Sequence, residues 1–296
     1  MTALPAVLPR ASLVRLARHL AYGGTTTGLL GLAGYGVLRG EAKLARRVIK
    51  PPEAGGPYPD GRYGDSLGRP LRLAVLGDSS GVGLGCATPT ETPGALLATA
   101  LAADDRQVVL DVLAVVGSRS HDLEPQVFRA LLQPPHVGVI MIGANDVTHR
   151  VSPQQAATDL YRAVVRLRAA GVRVVVGTCP DLAAVRPIAQ PLRWVAGVRS
   201  RAMAEAQLEA VTAAGGSVVP LGRLLARTFT TEPGLFCPDR FHPSAAGYAA
   251  LMAAMLPAVR AEADRSVHRG TRPNPVRLPP STVTLDAASV RGVRHA

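Results

Sequence analysis

Four short strings in this chain carry side chains whose types and spacing could do chemistry. The apolar run Leu73–Leu76 breaks abruptly into Gly77-Asp78-Ser79-Ser80-Gly81. A second string holds Gly117, Ser118 and Arg119, a third reads Gly143-Ala144-Asn145-Asp146, and a fourth reads Asp239-Arg240-Phe241-His242-Pro243. A serine hydroxyl is a weak nucleophile until a neighbouring base takes its proton. Imidazole titrates close to neutral pH and suits that task, so Ser79 and His242 form a candidate nucleophile and base. Asp239, three residues before His242, could orient the ring and stabilise its cation. The tetrahedral intermediate of acyl transfer needs donors aimed at its oxyanion, and the backbone N–H groups of Ser79 and Gly117 and the Asn145 side-chain amide could supply them. Asp78, Gly143 and Asp146 complete the set as supporting residues, with Asp78 holding its loop through backbone hydrogen bonds rather than acting as a base. Each string also has a plainer reading: Ser79 as a helix N-cap, Asn145-Asp146 as a turn, and His242 as a cap for the last helix.

Elements that could position these groups are legible in the apolar pattern. Continuous apolar runs at Leu71–Gly77, Val108–Val116, Val137–Gly143, Val172–Thr178 and Ser217–Leu221 predict strands covered on both faces. Helical periodicity predicts helices over Pro93–Ala103, Asp122–Leu132, Pro153–Ala170 and Leu192–Ala214. A last helix follows Pro243, with Tyr248, Leu251, Met252, Met255, Leu256 and Val259 recurring at spacings of three and four. This alternation predicts an α/β fold, a three-layer α/β/α sandwich around a central parallel five-stranded sheet. Ligands of open α/β sheets bind at the carboxyl ends of the strands, and there all four strings fall.

Composition bounds the alternatives. The 296 residues carry a formal charge of +12, which invites a nucleic-acid reading until its distribution is counted. Residues 71–264 hold 17 Lys+Arg against 16 Asp+Glu, a net of +1, so the flanks carry the other 16 basic and 5 acidic residues, a net of +11. A nearly neutral central domain argues against nucleic acid as a partner. Residues 71–264 form the expected catalytic domain, 51–70 a Pro/Gly-rich linker, 265–296 a basic Pro-containing tail, and 1–50 a basic and apolar segment. Within that segment, residues 20–38 run for 19 positions without a charge, about the length needed to cross a bilayer. The expectation is a membrane-associated or cell-envelope protein, against the alternative of a cytoplasmic enzyme whose N-terminal helix packs on its own domain. Cys86, Cys179 and Cys237 form no metal spacing. A Cys179–Cys237 bridge stays open beside the reading of all three as small apolar filler.

Taken in order, the strings resemble the SGNH hydrolase superfamily, the GDSL-type esterases and lipases. The resemblance covers about two thirds of the chain, from Leu71 to Asp264. It rests on Gly77-Asp78-Ser79, Gly117, Gly143-Ala144-Asn145-Asp146 and Asp239-Arg240-Phe241-His242. Arg119 departs from the family pattern, standing where a small residue is expected. It is read as a surface arginine, with a role toward a substrate carboxylate or phosphate as the alternative. Gly77-Asp78-Ser79-Ser80-Gly81 also satisfies the Gly-x-Ser-x-Gly elbow of α/β-hydrolases. In this chain, however, the serine follows the first strand of the domain and the acid lies three residues before the histidine. The resemblance implies the flavodoxin-like SGNH fold and catalytic Ser79, Asp239 and His242. It also implies an oxyanion hole of Ser79, Gly117 and Asn145, and no metal or cofactor. The implied activity is hydrolysis of an acyl or acetyl ester of a small molecule, lipid or glycan. Two alternatives remain open here: acyl transfer onto a sugar or glycolipid hydroxyl at the same site, and a non-catalytic binding module on the same scaffold.

Overall fold

The computed structural model describes residues 35–44 and 57–270. Six strands form one sheet in the order β1-β3-β2-β4-β5-β6. They are β1 (Gly61–Tyr63), β2 (Leu71–Gly77), β3 (Val108–Val112), β4 (Val137–Met141), β5 (Arg173–Gly177) and β6 (Ser217–Val219). The five strands β2 to β6 are parallel, as expected, and β1 adds an antiparallel edge against β3. That edge strand lies inside the stretch read as a linker. Its three residues are mostly exposed and carry no apolar pattern. Distant partners define it: the Val112 N–H donates to Asp60 Oδ1 at 2.7 Å, and Arg62 donates to Gln107 at 2.9 Å.

From β2 onward, eight α-helices alternate with the strands among the described residues: α1 (Ser79–Val82), α2 (Pro93–Ala102), α3 (Leu123–Leu132), α4 (Ala144–Thr148), α5 (Pro153–Ala169), α6 (Leu192–Ala213), α7 (Leu221–Thr231) and α8 (Ala245–Gly270). Alternate residues of the buried strands feed two cores. Leu73, Val75, Val139 and Val175 pack against Leu97 and Leu101 of α2 and Met255 and Val259 of α8. Ala74, Leu76, Ile140 and Val176 pack against Leu123 and Val127 of α3, Leu160 and Val164 of α5, and Val211 of α6. Burial on both faces accounts for the continuous apolar runs of the central strands.

The differences from expectation are local. The run Val108–Val116 leaves the ladder after Val112, where Leu113 and Ala114 both turn their N–H groups to the Val75 carbonyl. Leu221, read as the end of the last strand, instead begins α7, which had not been expected. The final helix continues past Asp264 to Gly270, so the expected tail begins later than residue 265. Its residues 271–296 lie outside the described residues, as do 1–34 and 51–56. Most of the uncharged stretch 20–38 is therefore not described. Residues 35–44 are helical, and Glu41 caps α6 by accepting the Leu192 N–H at 2.8 Å. Among the described residues no helix is long and apolar enough to cross a membrane.

Register sets the site. Gly77 pairs with Met141 and Met141 with Gly177, so β2, β4 and β5 end level. Gly77 can close this edge only as glycine. Its φ is +130°, and a Cβ there would stand 1.8 Å from the Met141 carbonyl oxygen.

Candidate active site

Ser79 opens α1 directly after β2. Asp78 is its N-cap, its carboxylate accepting the Ser80 N–H at 2.8 Å. The Ser79 carbonyl accepts from the N–H groups of Gly83 and Leu84, and Tyr248 of α8 donates its hydroxyl to the Leu84 carbonyl at 2.9 Å. A fully buried tyrosine thus ties the last helix to the first loop of the site.

The fourth string folds into a tight loop closed by a bridge between Phe236 and Pro243 and by the Cys237 N–H donating to the His242 carbonyl at 2.9 Å. One carboxylate organises it. Asp239 Oδ1 accepts the N–H groups of Phe241 at 2.9 Å and His242 at 3.0 Å, and the Cys237 thiol at 2.9 Å. Asp239 Oδ2 meets His242 Nδ1 at 2.6 Å. The three-residue spacing therefore has a physical cause: the aspartate that holds the turn also holds the ring. Burial works to raise the Asp239 carboxyl, but the bonds from Cys237, His242 and the two backbone N–H groups outweigh it and keep it below the ordinary carboxylate range.

Asn145 and Asp146 begin α4 and tie it to the loop carrying Gly117. Asn145 Nδ2 donates to the Ser118 carbonyl at 3.0 Å, and Asp146 accepts both the N–H and the hydroxyl of Ser120. Gly143, at φ +131°, leaves room for Gln207 and Cys179, which a Cβ would meet at 2.8 and 2.9 Å. Ser79, Asp78, Asn145 and His242 share the wall of one cavity of about 90 Å³. Gly117 is exposed on the neighbouring loop and is not part of that wall. Among the described residues, no protein acceptor takes the N–H of Ser79 or of Gly117. Arg119 turns to Asp122 and His121, and it too lies outside the cavity wall.

Two buried glutamines escaped the sequence reading. Gln126 accepts the Gly77 N–H at 2.8 Å and donates to the Gly77 carbonyl and to Ser118 Oγ. Gln207 accepts the Cys179 N–H at 2.7 Å and donates to the Ile142 carbonyl at 3.0 Å. Each interrupts an apolar helical stripe, Leu123-Gln126-Val127-Ala130 in α3 and Met203-Gln207-Val211 in α6, which is a signal the sequence did contain. All three cysteines are free thiols, so there is no Cys179–Cys237 bridge. Cys179 packs beside Gly143 and Gln207, whereas Cys237 is engaged by Asp239.

A doubly covered parallel sheet carries a serine after its first parallel strand and a histidine in the wall of the same cavity, the histidine bonded to an aspartate; these are the groups that acyl transfer uses. Residues 75–250 match the model of the GDSL-like lipase/acylhydrolase family. A GDSL-like esterase of Mycobacterium tuberculosis is 40% identical over 302 residues, covering 96% of this chain and 94% of that protein. Among solved structures, TesA superposes with a TM-score of 0.53 at 21% identity, covering 65% of this chain and 99% of its own. A lipase/acylhydrolase from Enterococcus faecalis gives 0.52 at 20%, covering 66% and 96%. The chain belongs to the GDSL-like lipase/acylhydrolase family and is an ester hydrolase.

The site carries two testable electrostatic features. Burial, opposed by its bonds to Ser80, raises the Asp78 carboxyl from 3.8 to about 6. A carboxyl with a raised native pKa binds its proton more tightly folded than unfolded, so its effect on stability falls as pH rises from about 4 to 6 and is level above. Asp78→Asn, which keeps an N-cap acceptor, should gain stability relative to wild type across that window, by on the order of 2–3 kcal/mol. Urea unfolding at pH 4 and pH 7 measures it. Cys237→Ala removes a donor from Asp239 and leaves a more basic carboxylate beside the imidazole. The acidic limb of the kcat/KM profile for ester hydrolysis should then move to higher pH, while Cys237→Ser, which retains a donor, should stay near wild type.

Proposed function

We propose that this protein is a serine ester hydrolase that cleaves acyl or acetyl esters of lipid or glycan alcohols through an acyl-enzyme on Ser79. Ser79 Oγ attacks the ester carbonyl carbon while His242 takes its proton. The C–O bond to the alcohol then breaks as His242 returns that proton to the leaving oxygen. Water, deprotonated by the same ring, attacks the acyl-serine, and release of the carboxylic acid regenerates the free hydroxyl. Asp239 keeps the imidazole oriented and stabilises its cation. The Ser79 N–H, the second Nδ2 proton of Asn145 and the Gly117 N–H are the oxyanion donors of this reading. The observation that carries it is the 2.6 Å bond between Asp239 and His242, with His242 and Ser79 in the wall of one cavity.

Ser79→Ala and His242→Ala are each expected to abolish hydrolysis of a short p-nitrophenyl ester. Asn145→Ala should lower kcat by about 10²–10³. Labelling of Ser79→Ala by a fluorophosphonate probe as strongly as wild type would remove the serine from its role.

The reading extends to location. The uncharged residues 20–38 and the flanks' net +11 (16 basic against 5 acidic) support a membrane or cell-envelope site. The full-length chain is expected in the membrane fraction and a chain lacking residues 1–50 in the soluble one. Soluble cytoplasmic protein in both cases overturns the assignment.

A further inference from the structure

Besides the polar residues of the proposed chemistry, the cavity is walled by apolar side chains which that chemistry leaves unused. Met141 ends β4, Leu182 and Val185 come from the loop after β5, and Leu221, Leu225 and Phe229 come from α7. The last three recur at intervals of four and so lie along one helical face. Within α7 only Leu221 is buried. Leu225 and Phe229 are partly buried, and both pack against the α2/α8 core. Leu221, Leu225 and Phe229 thus line the cavity on one side while packing against that core on the other.

This wall is held in place. Arg186 donates to the Thr230 carbonyl at 3.1 Å, fastening the end of α7 to the loop after β5. Phe229 meets Phe236 edge to face, with centroids 5.3 Å apart and planes at 80°. Phe236 belongs to the loop that carries Asp239 and His242, so this apolar wall is clasped to the loop of the proposed base. Asp181, one of two acidic residues on the cavity wall, is paired with Arg201 at 3.0 Å and accepts the Ala183 N–H. It offers no counter-charge to an occupant. Asp78 also lines the cavity but is buried and bonded to Ser80; the Thr178 hydroxyl is a buried, unpartnered polar group of the wall, too little to replace the water a charged occupant would lose.

We propose that this cavity takes the acyl chain of the ester, that the chain is an uncharged aliphatic one of about four to six carbons, and that Leu225 and Phe229 set its length. The inference rests on the serine hydrolase reading and adds the substrate's acyl class to it. The length follows from volume: an apolar protein cavity of about 150 Å³ takes a benzene-sized guest, so one of about 90 Å³ limits the chain to a few carbons. Each methylene moved from water into the cavity should raise kcat/KM by up to about fourfold until the space is filled.

The test is a series of p-nitrophenyl esters from acetate to palmitate on the purified full-length chain. Wild type is expected to peak at butanoate or hexanoate, to favour hexanoate over acetate at least tenfold, and to fall off by dodecanoate. Leu225→Trp should lower the hexanoate-to-acetate ratio of kcat/KM by tenfold or more. Leu225→Ala and Phe229→Ala should each move the optimum at least two carbons longer. These ratios are compared within each variant, so a general loss of folded protein does not imitate the effect, and thermal unfolding of each variant checks the fold. A profile that declines steadily from acetate, or one that all three variants leave unchanged, overturns the acyl assignment. If hydrolysis persists in Ser79→Ala the serine reading fails. If Ser79→Ala is inactive but the chain-length profile is flat, only the acyl-cavity assignment fails.

Discussion

A parallel sheet buried on both faces must satisfy the backbone groups at its strand ends without water, and in this protein the site is built out of that requirement. The last residues of β2, β4 and β5 stand level, and their continuations diverge into loops that no ladder can pair. Gln126 closes the end of β2 through both backbone atoms of Gly77 and passes a further bond to Ser118. Gln207 does the same between Ile142 beyond β4 and Cys179 beyond β5. A side-chain amide offers one acceptor and two donors on a short plane, which matches a neighbouring N–H and C=O. An unpaired buried backbone group costs free energy comparable to a lost hydrogen bond. The two glutamines therefore do more than fill space: they set where Ser79, the Gly117 loop and Asn145 stand relative to one another.

Three carboxylates of the four strings are treated in opposite ways. Asp78 is buried with few donors, and its carboxyl rises to about 6. Asp146 is also raised, mainly by burial, although Ser120 donates to it twice. Asp239 collects four donors and stays below the usual range. The proposed base, His242, needs an anion beside its ring, and the loop holds Asp239 as one through its own backbone N–H groups. Tyr248 completes the arrangement by tying α8, which leads directly out of that loop, to the Leu84 carbonyl behind the Ser79 turn.

The similarity to the Mycobacterium tuberculosis esterase spans 96% of this chain, whereas the family model covers residues 75–250. The likeness thus reaches into the basic flanks as well as the hydrolase domain. One of those flanking stretches is seen in contact with the domain, where Glu41 caps α6. The loop after β5 that precedes α6 also supplies Leu182 and Val185 to the cavity.

The sequence alone determined the layer order, the five parallel strands and the four strings at their carboxyl ends, because doubly buried strands and amphipathic helices impose periods that composition cannot hide. It also singled out Ser79, Asn145, Asp239 and His242 as candidates by residue type and short spacing, and the fold sets Ser79, Asn145 and His242 in one cavity wall with Asp239 bonded to His242. The edge strand β1 was not legible, since three exposed residues become a strand only by meeting β3, about fifty positions on in the chain. Helix α7 was hidden because Leu221 continues the apolar run of β6. The sequence left a Cys179–Cys237 bridge open for a related reason: nearness in the fold decides whether a thiol meets another thiol or, as Cys237 does, a carboxylate. Gln126 and Gln207 show the same division. Their positions on apolar helical faces are written in the sequence, but which strand ends they bridge is settled only when helices and sheet are packed together.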